Sequence, residues 1–257
     1  MEQGEWGVGG AANCETKGEA GMKKNGGSAK SFQVLEKELA KFCPVAYFQE
    51  GELIYGPCQR GTTAYLVQQG RVKLYHLDES GKRLTLAILG PGSLFGEMAL
   101  VGEEHRESSA EALEDVACWV IDREELRARA PGHPRLMIEL LKLFVQHMGE
   151  VQERLKEMVF KDLETRLARI LLYLAQRHGQ KSQGRWEITL KITHQEIAEL
   201  VGGTRENVTM LLNRFEDEGL ITKQRYYIAI TDLEGLLKRA ALDPEHLEEF
   251  KVPTPEN

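Results

Sequence analysis

The chain has 257 residues, 42% of them hydrophobic and 28% charged, with a formal net charge of −7. That balance belongs to an ordinary globular protein and excludes a fibrous or wholly disordered chain. No uncharged run reaches the roughly 20 apolar residues a membrane-crossing helix needs, and no basic lead precedes an apolar block at the N-terminus, so neither a membrane span nor a secretory signal is expected.

Residues 1–30 are rich in glycine and lack apolar periodicity; a disordered tail is expected there, or an extension from a start upstream of Met22. Leu35, Leu39 and Phe42 then mark a helix that ends near Pro44. From Phe48 to Ile121 the pattern is β-rich. Ala64-Tyr65-Leu66-Val67, Val72-Lys73-Leu74-Tyr75, Leu84-Thr85-Leu86-Ala87-Ile88 and Ala117-Cys118-Trp119-Val120-Ile121 alternate with turns such as Gly70 and Asp78-Glu79-Ser80-Gly81. Short strands at this spacing predict an antiparallel barrel or sandwich. Asp122, three residues before Glu125, suits a helix start.

A long helix follows Pro134, a residue suited to a first helical turn. Met137, Leu141, Phe144, Met148, Val151, Leu155 and Met158 recur along it at alternating spacings of four and three. This heptad seam predicts a two-stranded coiled coil, hence a homodimer, with charged flanks at Glu150, Glu153 and Lys156. Leu167, Ile170, Leu171 and Leu174 share one face of a further helix, and Trp186-Glu187-Ile188-Thr189-Leu190 reads as part of a hairpin. The expected organisation is a tail over 1–30, a β-barrel domain over 31–133, a dimerisation helix over 134–160, a mainly helical C-terminal unit over 161–242 and an acidic tail over 243–257. The fold class is α+β.

Residues 193–221 carry the most specific pattern. Thr193 and Glu196 form a capping box. Ala198 is small where a second helix must cross, Gly202 suits a turn needing positive φ, and Thr204 is a good N-cap for the next helix, which buries Val208, Leu211 and Leu212. This is a helix-turn-helix, with Tyr226 to Ile230 as a wing strand. From Lys161 to Thr231 there are eleven Lys or Arg and nine Asp or Glu, so the acidic excess lies elsewhere in the chain. Arg205 can pair bidentately with guanine O6 and N7, and Glu206 can accept from a cytosine amino group. Thr209, Met210 and Asn213 lie on the same side, Met210 within reach of a thymine methyl. Thr193, His194 and the backbone near Thr204 are candidate phosphate contacts. His194 has no nearby Cys or His to share a metal, and no metal site is expected.

The order of β-domain, long helix and winged helix-turn-helix over about residues 32–240 resembles the CRP/FNR family of bacterial transcription regulators. The resemblance implies a jelly-roll cyclic-nucleotide-binding type of barrel, a homodimer and regulation, more often activation, by contact with RNA polymerase; a two-fold dimer in turn predicts a near-palindromic DNA site. It also implies an effector pocket at Phe95-Gly96-Glu97-Met98-Ala99-Leu100 and onward to Arg106. Glu97 matches the family's ribose-binding glutamate and Arg106 its phosphate-binding arginine. The following position is Glu107 rather than serine, unless a one-residue slip brings in Ser108; a carboxylate beside a phosphate would repel it. On the long helix, His147, Val151 and Gln152 stand where cyclic-AMP-binding members carry an arginine and a Thr-Ser pair. Cyclic AMP is therefore disfavoured as effector, and no cofactor is expected. The scattered Cys14, Cys43, Cys58 and Cys118 fit the iron–sulfur branch poorly and read as reduced cytoplasmic thiols. Met210 replaces a second base-reading arginine, so the target should keep a G·C-reading core and differ at a neighbouring base pair. A ligand sensor acting through protein contacts is the competing class. An enzyme is not expected, since there is no Walker loop, zinc-protease helix or nucleophile elbow.

Overall fold

The computed structural model describes residues 29–79, 81–102, 105–182 and 184–243. Most of both expected tails, with Cys14 and Met22, and Ser80 of the expected turn lie outside the described residues. Helix α1 (Ala29–Leu39) already begins within the stretch expected to be tail.

Strands β1 (Val45–Phe48), β2 (Leu53–Tyr55), β3 (Thr63–Gln69), β4 (Val72–Leu77), β5 (Arg83–Leu89), β6 (Leu94–Phe95), β7 (Ser109–Ala112) and β8 (Val116–Asp122) follow. They pair antiparallel into two four-stranded sheets, β1-β8-β3-β6 and β2-β7-β4-β5. This is the jelly-roll order, but the expected barrel is not closed. The edge strands of one sheet do not pair with those of the other, and β2 and β6, three and two residues long, are too short to carry a ladder around the corner. The result is a sandwich. Tyr55, Val67, Leu74, Leu89, Phe95 and Cys118 fill the space between its sheets. The outer face of the first sheet, through Ala64, Leu66 and Ile121, packs on Leu35 and Leu39 of α1 and on the next two helices.

Those helices are α2 (Arg123–Arg129) and α3 (Pro134–Phe160). Asp122 caps α2 as expected, accepting from the Glu124 and Glu125 amides. A break at Lys161, in extended conformation, separates α3 from α4 (Leu163–His178), which Asp162 caps. Then come β9 (Gly179–Ser182), β10 (Arg185–Ile188), α5 (His194–Val201), α6 (Arg205–Asp217), β11 (Ile221–Gln224), β12 (Tyr227–Ile230) and α7 (Leu233–Arg239). The last four strands form a sheet in the order β11-β12-β10-β9. Leu167, Leu171, Ile197, Val208, Leu212, Phe215 and Leu236 form a second core beside it, which Ile88 of the sandwich joins.

His178, at the end of α4, sits where the two units meet. Its ring is bonded to the Ile88 backbone and packs against Gly90, while Nε2 has no partner. Burial, helped by the nearby cations Arg71 and Arg177, pulls the imidazole from 6.5 down to about 4. Arg71 lies against Glu114 and Arg177 against Glu150, so no carboxylate is left to favour the imidazolium. A depressed histidine contributes its full stability above pH 6.5 and loses it as pH falls towards 4. Wild-type protein should therefore lose about 2 kcal/mol between pH 7.5 and pH 5 through this group. In urea unfolding at the two pH values, His178→Gln should lack that part of the loss; parallel losses in both proteins would show that His178 is not its source.

Candidate nucleic-acid interface and effector site

The helix-turn-helix forms for the local reasons its sequence contains. The Glu196 amide donates to Thr193 Oγ1 at 3.2 Å, and the Thr193 amide donates to Glu196 Oε2 at 2.9 Å, closing the capping box at the start of α5. Gly202 ends α5 with φ of 67°, a region costly for any side chain with a Cβ. Thr204 caps α6, its hydroxyl accepting from the Asn207 amide at 3.3 Å. Ala198, only 1% exposed, lets α6 cross closely, and α6 buries Val208, Leu211, Leu212 and Phe215 against it.

With that face buried, Arg205, Glu206, Met210 and Asn213 stand exposed on the opposite side of α6, and Thr193 and Thr204 are exposed at the two helix starts. Thr209 is half-buried, and its hydroxyl lies 2.9 Å from His194 Nδ1, tying α5 to α6. Burial, followed by the charges of Lys223 and Arg205, holds the His194 pKa down, so the ring is neutral near pH 7. His194 is therefore a strut between the helices more than a free phosphate ligand. Asn213 Oδ1 accepts from Lys223 Nζ. Lys223 and Arg225, on the wing, were absent from the residues the sequence singled out. Arg225 sits in the two-residue turn between β11 and β12 with φ of 50°. The signal that could have found both is that turn between two alternating strands.

In the sandwich, Arg106 is buried, 8% exposed, and its guanidinium faces the protein's own backbone. Nη1 donates to the Gly96 carbonyl at 3.0 Å, Nη2 donates to the Thr63 carbonyl, and the group lies 4.3 Å from the Tyr55 ring centre. Gly61 and Gly96 make room: a Cβ on either would fall within about 2.6 Å of the guanidinium nitrogens. Tyr65 stacks on Phe95 at 5.2 Å beside it. Glu97 is half-buried near Tyr55. Glu107 is exposed, whereas the half-buried Ser108 hydrogen-bonds Tyr55. The inward side chain after Arg106 is thus the serine, and the repulsion expected from Glu107 does not arise in this geometry. His147 is half-buried near Glu150, and Val151 and Gln152 are exposed on α3; none of the three joins the hydrogen bonds of Arg106.

On α3, Leu141, Phe144, Met148, Val151, Leu155 and Met158 are all exposed, together with Ile138, Val145 and Val159. Met137, the first seam position, instead packs on the core beneath α1, as do Leu136 and Leu140. The described residues contain no metal-binding cluster and no helix long and apolar enough to cross a membrane.

A jelly-roll sandwich joined by a long helix to a winged helix-turn-helix defines a DNA-binding regulator with a sensor-type domain. Residues 45–130 match the cyclic nucleotide-binding domain, and residues 165–239 match the Crp-like helix-turn-helix domain. The chain is 32% identical to a CRP-like cAMP-activated global transcriptional regulator of Mycobacterium tuberculosis, over 75% of this chain and 86% of that one. It is 35% identical to the transcriptional regulator SdrP of Thermus thermophilus, over 75% and 92%. A solved CRP/FNR-family regulator from Thermus thermophilus superposes with a TM-score of 0.67 at 32% identity, covering 77% of this chain and 98% of that one. The chain belongs to the CRP/FNR family of transcription regulators.

Removing the Arg106 guanidinium takes a donor from the Thr63 carbonyl and leaves the Gly96 carbonyl with only the Ala99 amide at 3.2 Å. Arg106→Met, which keeps most of the side-chain volume, should lower stability by about 2 kcal/mol. Urea unfolding measures this, and an unchanged midpoint would show that the internal hydrogen bonds contribute nothing.

Proposed function

We propose that the protein is a homodimeric, sequence-specific transcription regulator that binds a near-palindromic operator without cyclic AMP and activates transcription by contact with RNA polymerase in the cytoplasm. The sensor unit is assigned to 31–133, the dimerisation helix to 134–160 and the DNA-reading unit to 161–242. No catalytic role is assigned to any residue.

The observation that carries the dimer is the apolar stripe on α3. Six of the seven heptad positions are exposed side chains on one 27-residue helix. A stripe of that length facing water is costly, and a second copy of the same helix covers it. The dimer presents two copies of α6, whose exposed Arg205, Glu206 and Met210, with Asn213 held beside Lys223, are turned to meet base edges in successive major grooves, roughly 34–36 Å apart. Thr193, the Thr204 backbone and the wing residues Lys223 and Arg225 are assigned to the phosphates.

Independence from cyclic AMP rests on Arg106. A guanidinium already bonded to two backbone carbonyls and stacked on Tyr55 has to give up those contacts before it can hold a cyclic phosphate. The second reading is a cyclic-AMP-dependent regulator. It is favoured by Glu97, Arg106 and the inward Ser108, and by the name of the mycobacterial relative.

Selection from random duplex DNA should yield a near-palindrome, bound with the same affinity with and without cyclic AMP. Arg205→Ala should cost about 1–3 kcal/mol at that site and relax the preference for G·C at one position per half-site. A selected site bound only when micromolar cyclic AMP is present would establish the second reading instead.

A further inference from the structure

The rear face of α5, turned away from α6, is held against the sandwich by polar side chains. Lys73 lies on the outer side of β4 and is 4% exposed. Its Nζ is 3.2 Å from Glu196 Oε1 and 3.6 Å from Glu111 Oε1, the latter directly opposite it on β7. Glu196 is also the capping-box residue, so its two oxygens serve different domains: one fixes the start of α5, the other the sensor sheet. One turn further, Thr85 of β5 donates its buried hydroxyl to Glu199 Oε2 at 2.9 Å.

The third anchor comes from the long helix itself. Arg154 of α3 donates through Nη2 to the Thr85 carbonyl at 2.7 Å and to the Leu200 carbonyl at 2.5 Å, and through Nη1 to the Leu86 carbonyl. Stalk, sheet and helix-turn-helix meet at one guanidinium. Further along the same sheet, near the Val72–Leu89 pair, Arg71 donates to Thr189 Oγ1 at 3.0 Å. The α4–α7 unit follows the stalk after the extended residue Lys161, and α4 is paired to α3 through Arg169–Glu157 at 3.1 Å and Arg177–Glu150 at 2.9 Å. Anchors at Glu196, Glu199 and Leu200 add a direct hold of the sensor sheet and stalk on α5 itself.

We propose that this seam, and not a bound small molecule, sets the angle at which the two recognition helices of the dimer are presented, with Lys73, Thr85 and Arg154 as positioning residues for operator spacing. The proposal rests on the dimeric operator-binding reading above. None of the three residues faces DNA in that reading. They act through α5, which carries α6 with it as one packed pair.

The test uses the full-length protein and the operator selected above, rebuilt with its half-sites moved by −2, −1, +1 and +2 base pairs, together with a single half-site. Wild-type protein should bind one spacing much more tightly than the others. Thr85→Val and Lys73→Met should each lose roughly tenfold at that spacing, as expected for a lost hydrogen bond to a charged group. Both should bind the single half-site as wild type does, so the spacing profile flattens. Thr85→Ser, which keeps the hydroxyl, should restore the sharp profile. An unchanged profile in folded Thr85→Val and Lys73→Met would overturn the proposal. Tighter binding at the native spacing would also overturn it, because the seam would then hold the reading helices away from DNA. Wild-type protein indifferent to spacing would instead overturn the dimeric reading on which the proposal stands.

Discussion

The arrangement of the whole molecule depends on one cation placed among backbone carbonyls. Arg154 is largely withdrawn from water, and burial lowers its pKa, yet no carboxylate is hydrogen-bonded to it. Its donors go to carbonyls of Thr85, Leu86 and Leu200, which belong to two different units, while its Cα belongs to α3. A planar fork with several fixed N–H directions can satisfy acceptors from two sides at once, which a lysine ammonium on a flexible stem cannot do with the same geometry. Because the residue lies on the stalk, whatever orients the stalk also orients α5. In the proposed dimer, that makes the dimer axis and the DNA-reading surface parts of one mechanical assembly.

Arg106 follows the same physical rule in the other half of the chain. It lies beside the aromatic filling of the sandwich, close to the short 3₁₀ segment Glu97–Val101, and bonds to the Gly96 and Thr63 carbonyls. The stacked Tyr55, Tyr65 and Phe95 rings close the space around it. A domain built for a small anionic ligand can thus be completed from within. A direct polar link then joins the sheet to α5 through Lys73–Glu196 and Thr85–Glu199. In the proposed reading, that combination gives a regulator whose DNA-reading geometry is present without an effector.

Much of this was legible in the sequence because it is local. Capping at Thr193, Thr204 and Asp122 depends on residues two or three apart, and the positive φ at Gly202 on a single residue. The heptad on α3 is periodic over 27 residues. What failed to show depends on partners far along the chain. Barrel closure could not be read because it is decided by whether β2 and β6 are long enough to pair around a corner. Met137 fits the seam by spacing but meets the core under α1 instead. Glu150 falls on the charged flank of the heptad by spacing, yet it holds Arg177 of α4 at 2.9 Å. Lys73 looks like the polar member of an alternating strand, and its burial becomes visible only when α5, more than a hundred residues later, lies across it. Glu107 and Ser108 were ambiguous because a one-residue slip exchanges the two faces of a strand.

The central claim is that the two recognition helices are aligned before any effector or DNA arrives. Spin labels at Met210→Cys, in a chain with Cys14 and Cys58 changed to serine, would measure the separation of the two α6 helices by pulsed electron resonance. Ligand-free protein should show a single narrow distance of roughly one DNA turn, about 34–36 Å, unchanged on adding operator duplex or cyclic AMP. A broad distribution that sharpens only when a nucleotide or DNA is added would contradict the claim.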